Sequence, residues 1–292
     1  MGKVSVVGFK PIKGWVHVHR EPPQIKDDGI FIPEIAQFAG FIAEVLGKGG
    51  EVDDDRYDYG DKIVVRPNET FLPFHDSLMA VTRARTIMAK LAGIAGMEEI
   101  HPLNGYVLVS PDAKIESIGD VNLPDKAQKM RFTGVVTRIS TELIEHDENK
   151  IEVGSRLVYN PFKAFPCIEA GHEMHLINDA MAVEEGENVR PIGQIILVEV
   201  DKPEQKLIVL PGQKGLALPS APNVVLPEQS VRPQPTGIVR GIGNEVKTTE
   251  LAVGDTVLLR QTSTGSANPG TQYDPDNEYL RLVHENDVIG KF

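Results

Sequence analysis

The chain repeats itself, and that constrains its fold more than any other feature of its sequence. Lys10-Pro-Ile-Lys-Gly-Trp-Val-His-Val18 is echoed by His101-Pro-Leu-Asn-Gly-Tyr-Val-Leu-Val109 and by Arg190-Pro-Ile-Gly-Gln-Ile-Ile-Leu-Val198, with prolines 91 and 89 residues apart. A second element follows each time. Gly40-Phe-Ile-Ala-Glu-Val-Leu-Gly47, Gly134-Val-Val-Thr-Arg-Ile139 and Gly237-Ile-Val-Arg-Gly-Ile-Gly243 open on glycine and roughly alternate apolar with polar residues, the period of a half-buried strand. Third come Tyr59-Gly-Asp-Lys-Ile-Val-Val65, Val153-Gly-Ser-Arg-Leu-Val-Tyr159 and Val253-Gly-Asp-Thr-Val-Leu-Leu259, in which a Gly-Asp or Gly-Ser turn feeds a β-branched run. Last, residues 77–81 with 86–91 align without gaps to 278–282 with 287–292, whereas 173–177 with 179–183 read as three residues shorter. Four elements in one order, three times over, make a triplicated unit.

Each unit is about 90 residues of short strands joined by Gly, Pro, Asn and Asp loops. Strands this short and evenly spaced predict an all-β protein of three small barrels, each curled to hide its edges. The boundaries are expected at 1–97, 98–187 and 188–292, where charge and glycine cluster before the next proline. One window, residues 78–91, has partly helical spacing; its alignment with the strand-like end of the chain makes it strand plus a short helical turn.

Composition narrows the function classes. Of 292 residues one is a cysteine, so a disulfide framework is excluded and a reducing compartment is expected. The net charge of −12 argues against a nucleic-acid clamp. No apolar run is long enough for a membrane helix and the first residues carry no signal-like stretch, so the expected localisation is cytoplasmic. Catalytic motifs fail on spacing. His172 and His175 stand three apart, not four, and read as histidines facing solvent; His17 and His19 lack a ligand set and read as exposed. Lys48 sits in a Gly-rich turn without phosphate-loop spacing, and Cys167 has no His/Asn partner, which makes it a buried thiol. No catalytic residue, metal or cofactor is assigned.

What remains is a long polar loop between the first two strands of each unit. Gly29-Ile-Phe-Ile-Pro33, Asp120-Val-Asn-Leu-Pro124 and Asn223-Val-Val-Leu-Pro227 each set a mostly apolar tripeptide between a turn residue and a proline. The next glycine lies 11, 14 and 14 residues on, and the third loop is lengthened by an insertion containing Leu207-Ile-Val-Leu-Pro211. Surface loops normally expose little apolar area. Such a segment is either one that orders in a partner's groove or an ordinary buried strand end.

The ordered set, above all Val253-Gly-Asp-Thr-Val257, Glu278-Tyr-Leu280 with Asp287-Val-Ile289 and the loop tripeptides, resembles the co-chaperonin family of GroES type, three times in tandem. The resemblance covers nearly the whole chain. It implies a partly open β-barrel per repeat, with the tripeptide on a mobile loop that docks on the apical domains of a GroEL-type chaperonin. The docking residues it implies are Ile30, Phe31 and Ile32 in the first loop. In the second they are Val121 and Leu123, with Asn122 a polar departure that should weaken binding; in the third, Val224, Val225 and Leu226. It further implies a homo-oligomer that is no enzyme, with ATP used by the partner. Three barrels per chain do not divide the family's seven-membered ring. The alternative is therefore a structural protein of a virion of phage origin (head decoration, neck or tail component) or of another large assembly.

Overall fold

The structure, a computed structural model of the whole chain, describes residues 9–21, 26–27, 30–31, 42–52, 56–66, 72–74, 76–94, 97–113, 117–118, 121–122, 133–146, 150–160, 163–186, 188–201, 235–260, 271–272 and 279–292. The first stretch of chain forms strands β1 (Trp15–Arg20), β2 (Lys26–Asp27), β3 (Ile30–Phe31), β4 (Ile42–Lys48), β5 (Lys62–Val65), β6 (Leu72–Phe74), β7 (Asp76–Arg83) and β8 (Ile87–Ile94). Then come β9 (Met97–Pro102), β10 (Val107–Pro111), β11 (Ser117–Ile118), β12 (Val121–Asn122) and β13 (Thr133–Ile139), followed by the short helix α1 (Thr141–His146). Strands β14 (Arg156–Tyr159), β15 (Phe165–Glu169), β16 (His172–Ile177), β17 (Ala180–Glu185) and β18 (Asn188–Pro191) complete the middle of the chain. The last part holds β19 (Ile195–Val200), β20 (Thr236–Ile242), β21 (Thr256–Leu259), β22 (Thr271–Gln272), β23 (Leu280–His284) and β24 (Val288–Lys291).

Three antiparallel sheets share one strand order: β6-β7-β1-β4-β5-β8-β9, then β15-β16-β10-β13-β14-β17-β18, then β22-β23-β19-β20-β21-β24. The chain is nearly all-β and built of three repeats of one barrel topology. The first strand of each repeat slips register against the second at one equivalent place, His17/Val18, Leu108/Val109 and Leu197/Val198. Such bulges add the local twist that curls a sheet. Alternate residues of these strands turn inward: Val16 and Val18, Val107 and Val109, Ile196 and Val198 are all buried, as period two dictates. The Gly-Asp and Gly-Ser turns repeat as well. Gly60, Gly154 and Gly254 have φ of 87°, 91° and 99°, a region glycine enters without steric cost. The following side chain then accepts a backbone N–H from three residues back, Asp58 to Asp61 at 2.6 Å, Glu152 to Ser155 at 3.1 Å and Ala252 to Asp255 at 2.9 Å.

Two alignments change in three dimensions. The register partner of Arg20 is Ala43, and the equivalent partners of Pro111 and Val200 are Gly134 and Gly237. Ala43, not Gly40, is therefore the counterpart of those glycines, and the spacing from Gly29, Asp120 and Asn223 becomes fourteen in all three repeats. Leu176 pairs as Val81 and Leu282 do, so the middle connection is two residues shorter, not three. The first and third repeats pass from their fourth to their fifth strand by a 3-10 turn, Ala84–Thr86 and Glu285–Asp287, as expected for 78–91. The middle repeat makes the connection with Asn178-Asp179 alone.

By contacts the chain forms two compact units, Met1–Ile192 and Gly193–Phe292. Inside the first, the cores interlock. Leu103, from the segment leading into β10, lies in the cluster of Val16, Val18, Ile63 and Ile87. A second cluster joins Val64, Met88 and Ala89 to Tyr106, Leu108, Phe165 and Leu176. Ile192 in turn packs among Val107, Val136 and Leu157. Polar contacts reinforce the seam: the Glu169 carboxylate accepts the Ile100 N–H at 2.7 Å, and its two oxygens accept from Arg138 Nη1 at 2.6 and 2.8 Å. The second unit has its own core around Ile196, Val198, Val239 and Leu259.

Candidate functional site

The candidate docking loops leave the barrels between β1 and β4, β10 and β13, and β19 and β20. Sequence places an acidic residue ten positions after the repeat proline at each exit: Glu21, Asp112 and Asp201. The backbone N–H of each donates to the strand that receives the loop, Glu21 to Ile42 at 2.9 Å, Asp112 to Thr133 at 3.0 Å and Asp201 to Thr236 at 2.9 Å. Their carboxylates then tie the loop base to the barrel. Glu21 pairs with Lys62 at 2.9 Å and Asp112 with Arg156 at 2.6 Å, from equivalent places on β5 and β14. In the third repeat Thr256 takes that place, and Asp201 instead accepts the Thr236 hydroxyl at 2.5 Å. The Asp112 carboxylate also accepts the Thr133 hydroxyl. Hydrogen bonds to Glu184 and then Asp112 hold the Arg156 guanidinium above its ordinary range. Each such pair is half in solvent and contributes at most about 1 kcal/mol; its effect is to fix where the loop begins.

Beyond that base, two loops form a hairpin of the smallest kind. Lys26 pairs with Phe31 and Asp27 with Ile30; Ser117 pairs with Asn122 and Ile118 with Val121. Both hairpins are two-stranded sheets of their own, outside the hydrogen-bonded order of the barrels. Ile30 and Phe31, and Val121 and Asn122, are thus the returning strands of hairpins not hydrogen-bonded into the barrel sheets, at equivalent places in two repeats. Ile32, Leu123, Val224, Val225 and Leu226 lie outside the described residues. The acidic anchors and the hairpins escaped the motif search. Their sequence signals are the fixed spacing from proline to acid and the intervening pairs Asp28-Gly29 and Gly119-Asp120, which suit two-residue hairpin turns.

Other candidate chemistry resolves into structure. His17 is buried, not exposed; its ring meets Phe9 edge-on at 4.9 Å, and burial lowers its pKa. His172 is exposed, but His175 is buried, with Nδ1 2.8 Å from the Tyr159 hydroxyl and Nε2 3.2 Å from Glu173 Oε1. The two histidines therefore do not face one site. Cys167 is buried, its Sγ donating to the Met174 carbonyl at 3.3 Å, and burial, with the Glu169 charge, pushes the thiol up to about 12. No group of three or more His, Cys, Asp or Glu among the described residues is disposed to hold a metal ion. No helix is long and apolar enough to cross a membrane among those residues.

The family model of the chaperonin 10 kDa subunit matches residues 99–183 and again 188–292. No curated protein matches the chain. The two matched segments together exceed half of the chain and correspond to the second and third sheets. Residues before 99 lie outside them, and there the repeat is carried by the same strand order and the same bulge. With two tandem matches and that shared topology, the chain belongs to the chaperonin 10 kDa subunit family.

Proposed function

We propose that the chain is a non-enzymatic co-chaperonin that docks on the apical domains of a GroEL-type chaperonin and assists protein folding in the cytoplasm. Its three repeats, 1–97, 98–187 and 188–292, each present one loop. The observation that carries this reading is the pair of hairpins β2–β3 and β11–β12, hydrogen-bonded apart from the barrels and beginning the apolar tripeptides. The contact residues are Ile30, Phe31 and Ile32, Val121 and Leu123, and Val224, Val225 and Leu226. Burying one large apolar side chain yields about 1.5–3 kcal/mol. Ordering the loop and losing translational freedom offset much of that. One loop therefore binds weakly, and several on one body bind by avidity. Asn122 puts an amide that must be desolvated in the middle of the second tripeptide, so the first and third loops dominate.

The test is retention of the full chain on an immobilised GroEL-type chaperonin with ATP. The wild type is retained. The double variant Phe31→Asp/Val225→Asp is not, while its thermal transition stays within a few degrees of wild type. Equal retention of the double variant refutes the loop assignment. A double variant that unfolds shows these side chains to be core. A wild type that is never retained overturns the co-chaperonin reading and leaves the assembly-component alternative.

A further inference from the structure

The three loop bases share an acidic anchor but not the group that grips it. Lys62, Arg156 and Thr256 hold equivalent places, opposite Glu44, Val135 and Ile238 of the strand that receives the loop. In the middle repeat the grip is a fork. Arg156 donates through Nη2 to Asp112 Oδ2 at 2.6 Å and through Nη1 to Oδ1 at 3.3 Å, while its Nε donates to Glu184 Oε2 at 2.7 Å. Glu184 is the residue opposite Arg156 on β17, so the guanidinium is braced from the far side as it holds the loop. In the first repeat Leu91 takes the place of Glu184, and Lys62 meets Glu21 with an ammonium at 2.9 Å. The shielding differs as well: the Asp112 and Glu184 side chains are 18% and 21% exposed, against 35% for Glu21. In the third repeat Thr256 brings no charge to this place, and Asp201 accepts the Thr236 hydroxyl instead. A planar fork fixes direction as well as distance, an ammonium acts as a point charge, and a hydroxyl supplies no opposite charge.

This order runs opposite to that of the tripeptides. The second, Val121-Asn-Leu123, carries an amide in its middle, whereas Ile30-Phe-Ile32 and Val224-Val-Leu226 are apolar throughout. The poorest tripeptide thus stands on the most firmly held base. Holding a segment near its bound arrangement beforehand lowers the entropy lost on binding. We propose that Arg156 is a positioning residue for docking: by fixing Asp112 against β14 and β17 it pre-orders the second loop and offsets the weakness of that loop's tripeptide. This use of the anchor rests on the docking function proposed above. Asp112 follows directly on β10, and its N–H donates to the carbonyl of Thr133, the first residue of β13, at 3.0 Å. The Thr133 hydroxyl donates to the Asp112 carboxylate in turn. The fork therefore grips the point where the loop leaves and the point where it returns, and the hairpin β11–β12 lies between them.

Two measurements separate the anchor from the docking. Arg156→Thr installs the third repeat's residue and Arg156→Lys the first's. The Arg156 side chain is 43% exposed, so neither change should disturb the fold, as circular dichroism and the thermal transition will verify. In the free chain, hydrogen exchange read by mass spectrometry over residues 112–123 is expected to quicken about two- to fivefold in Arg156→Thr, the range that loss of a half-exposed pair allows. Arg156→Lys should quicken it less, and residues 235–260 of the third repeat should exchange as before. Unchanged exchange over 112–123 overturns the anchor. On an immobilised GroEL-type chaperonin with ATP, Arg156→Thr is expected to weaken affinity by about the same two- to fivefold. Val121→Asp should weaken it at least as much, and Arg156→Lys less than either. The combination Arg156→Thr/Val121→Asp is expected to bind no worse than Val121→Asp, since a loop that cannot dock gains nothing from being positioned. A residue that only supported the barrel would give additive losses. Additive losses therefore overturn the proposal, as does an Arg156→Thr chain that binds like the wild type. A wild type that never binds overturns the docking function and this use of the anchor together, while the exchange result separately decides whether Arg156 holds the loop. Thr256→Arg, which brings a guanidinium to Asp201, is expected to tighten binding by a similar factor, and a chain that binds no better overturns the grading.

Discussion

The interlocking of the first two barrels predicts a sharp contrast between two side chains that occupy the same place in their repeats. Leu103 is 6% exposed inside the first barrel's core, whereas Ile12 is 68% exposed. Truncating Leu103 to alanine removes three buried carbons beyond Cβ, about 2.4 kcal/mol at about 0.8 kcal/mol each. The cavity left behind adds to this, which puts Leu103→Ala at about 3 kcal/mol, within the about 2–5 kcal/mol range of buried leucines. Ile12→Ala removes atoms of which about a third are shielded, so its cost stays below about 1 kcal/mol. Trp15, the chain's one tryptophan, lies on β1 of the same barrel beneath the Arg83 guanidinium at 5.2 Å and reports its unfolding. Urea titrations followed by its fluorescence should move the Leu103→Ala midpoint down by about 1 M or more. The Ile12→Ala midpoint should barely move. A Leu103→Ala curve that overlays the wild type would show the first barrel to be closed without the second repeat's help and would refute the shared-core reasoning.

Other consequences follow from single sites. A Cβ added at Gly134 would stand 2.6 Å from both the Ser110 carbonyl oxygen and Val109 Cγ1, and one at Gly237 2.6 Å from Val198 Cγ1. Gly134→Ala and Gly237→Ala should each cost about 1–3 kcal/mol by overpacking, read as a lower thermal midpoint. At Asp61, burial raises the pKa, but hydrogen bonds from Lys90 and the Asp58 N–H and the charges of Lys90 and Lys48 outweigh it, leaving the carboxyl below its ordinary value. A depressed carboxyl stabilises the fold above its unfolded pKa and loses that contribution as pH falls through the folded one. Stability should therefore drop below about pH 4 more steeply in wild type than in Asp61→Asn, as acid titration of the Trp15 signal will test. Cys167, with its thiol raised to about 12, should resist thiol reagents at pH 8 in the folded chain and react on unfolding in urea. Labelling of the native protein at the rate of a free thiol would contradict its burial.

The repeat, the strand order's beginnings and the turn chemistry were legible in the linear chain because they depend on local rules. Period two, a glycine at positive φ and a proline that opens a strand act over a few residues, so Val16 and Val18 or Gly60 and Asp61 carry their own meaning. The tripeptides were legible as anomalies, apolar residues in polar loops, but whether they belong to the barrel or stand off it depends on hydrogen bonds between distant strands. Equivalence was misjudged where identity was taken for position. Gly40 looks like Gly134, yet the bulged register gives the place to Ala43; at Gly134 and Gly237 the neighbouring strand leaves no room for a Cβ. His17 reads as exposed in the sequence but is buried, because alternation alone does not say which faces of a barrel are covered.

The amino-acid order thus determined a triplicated all-β chain of co-chaperonin type and the three loops that depart from it. Tertiary structure alone decided that the first repeats are not independent, that Leu103 and Ile192 serve the cores of the barrels before them, and that Ile12, at the same place in its repeat, is exposed. The reason is physical: alternation and turn propensity are set by neighbours in sequence. Burial of Leu103 in a core built by Val16, Val18, Ile63 and Ile87 is set by which edges meet, and no local pattern encodes that meeting.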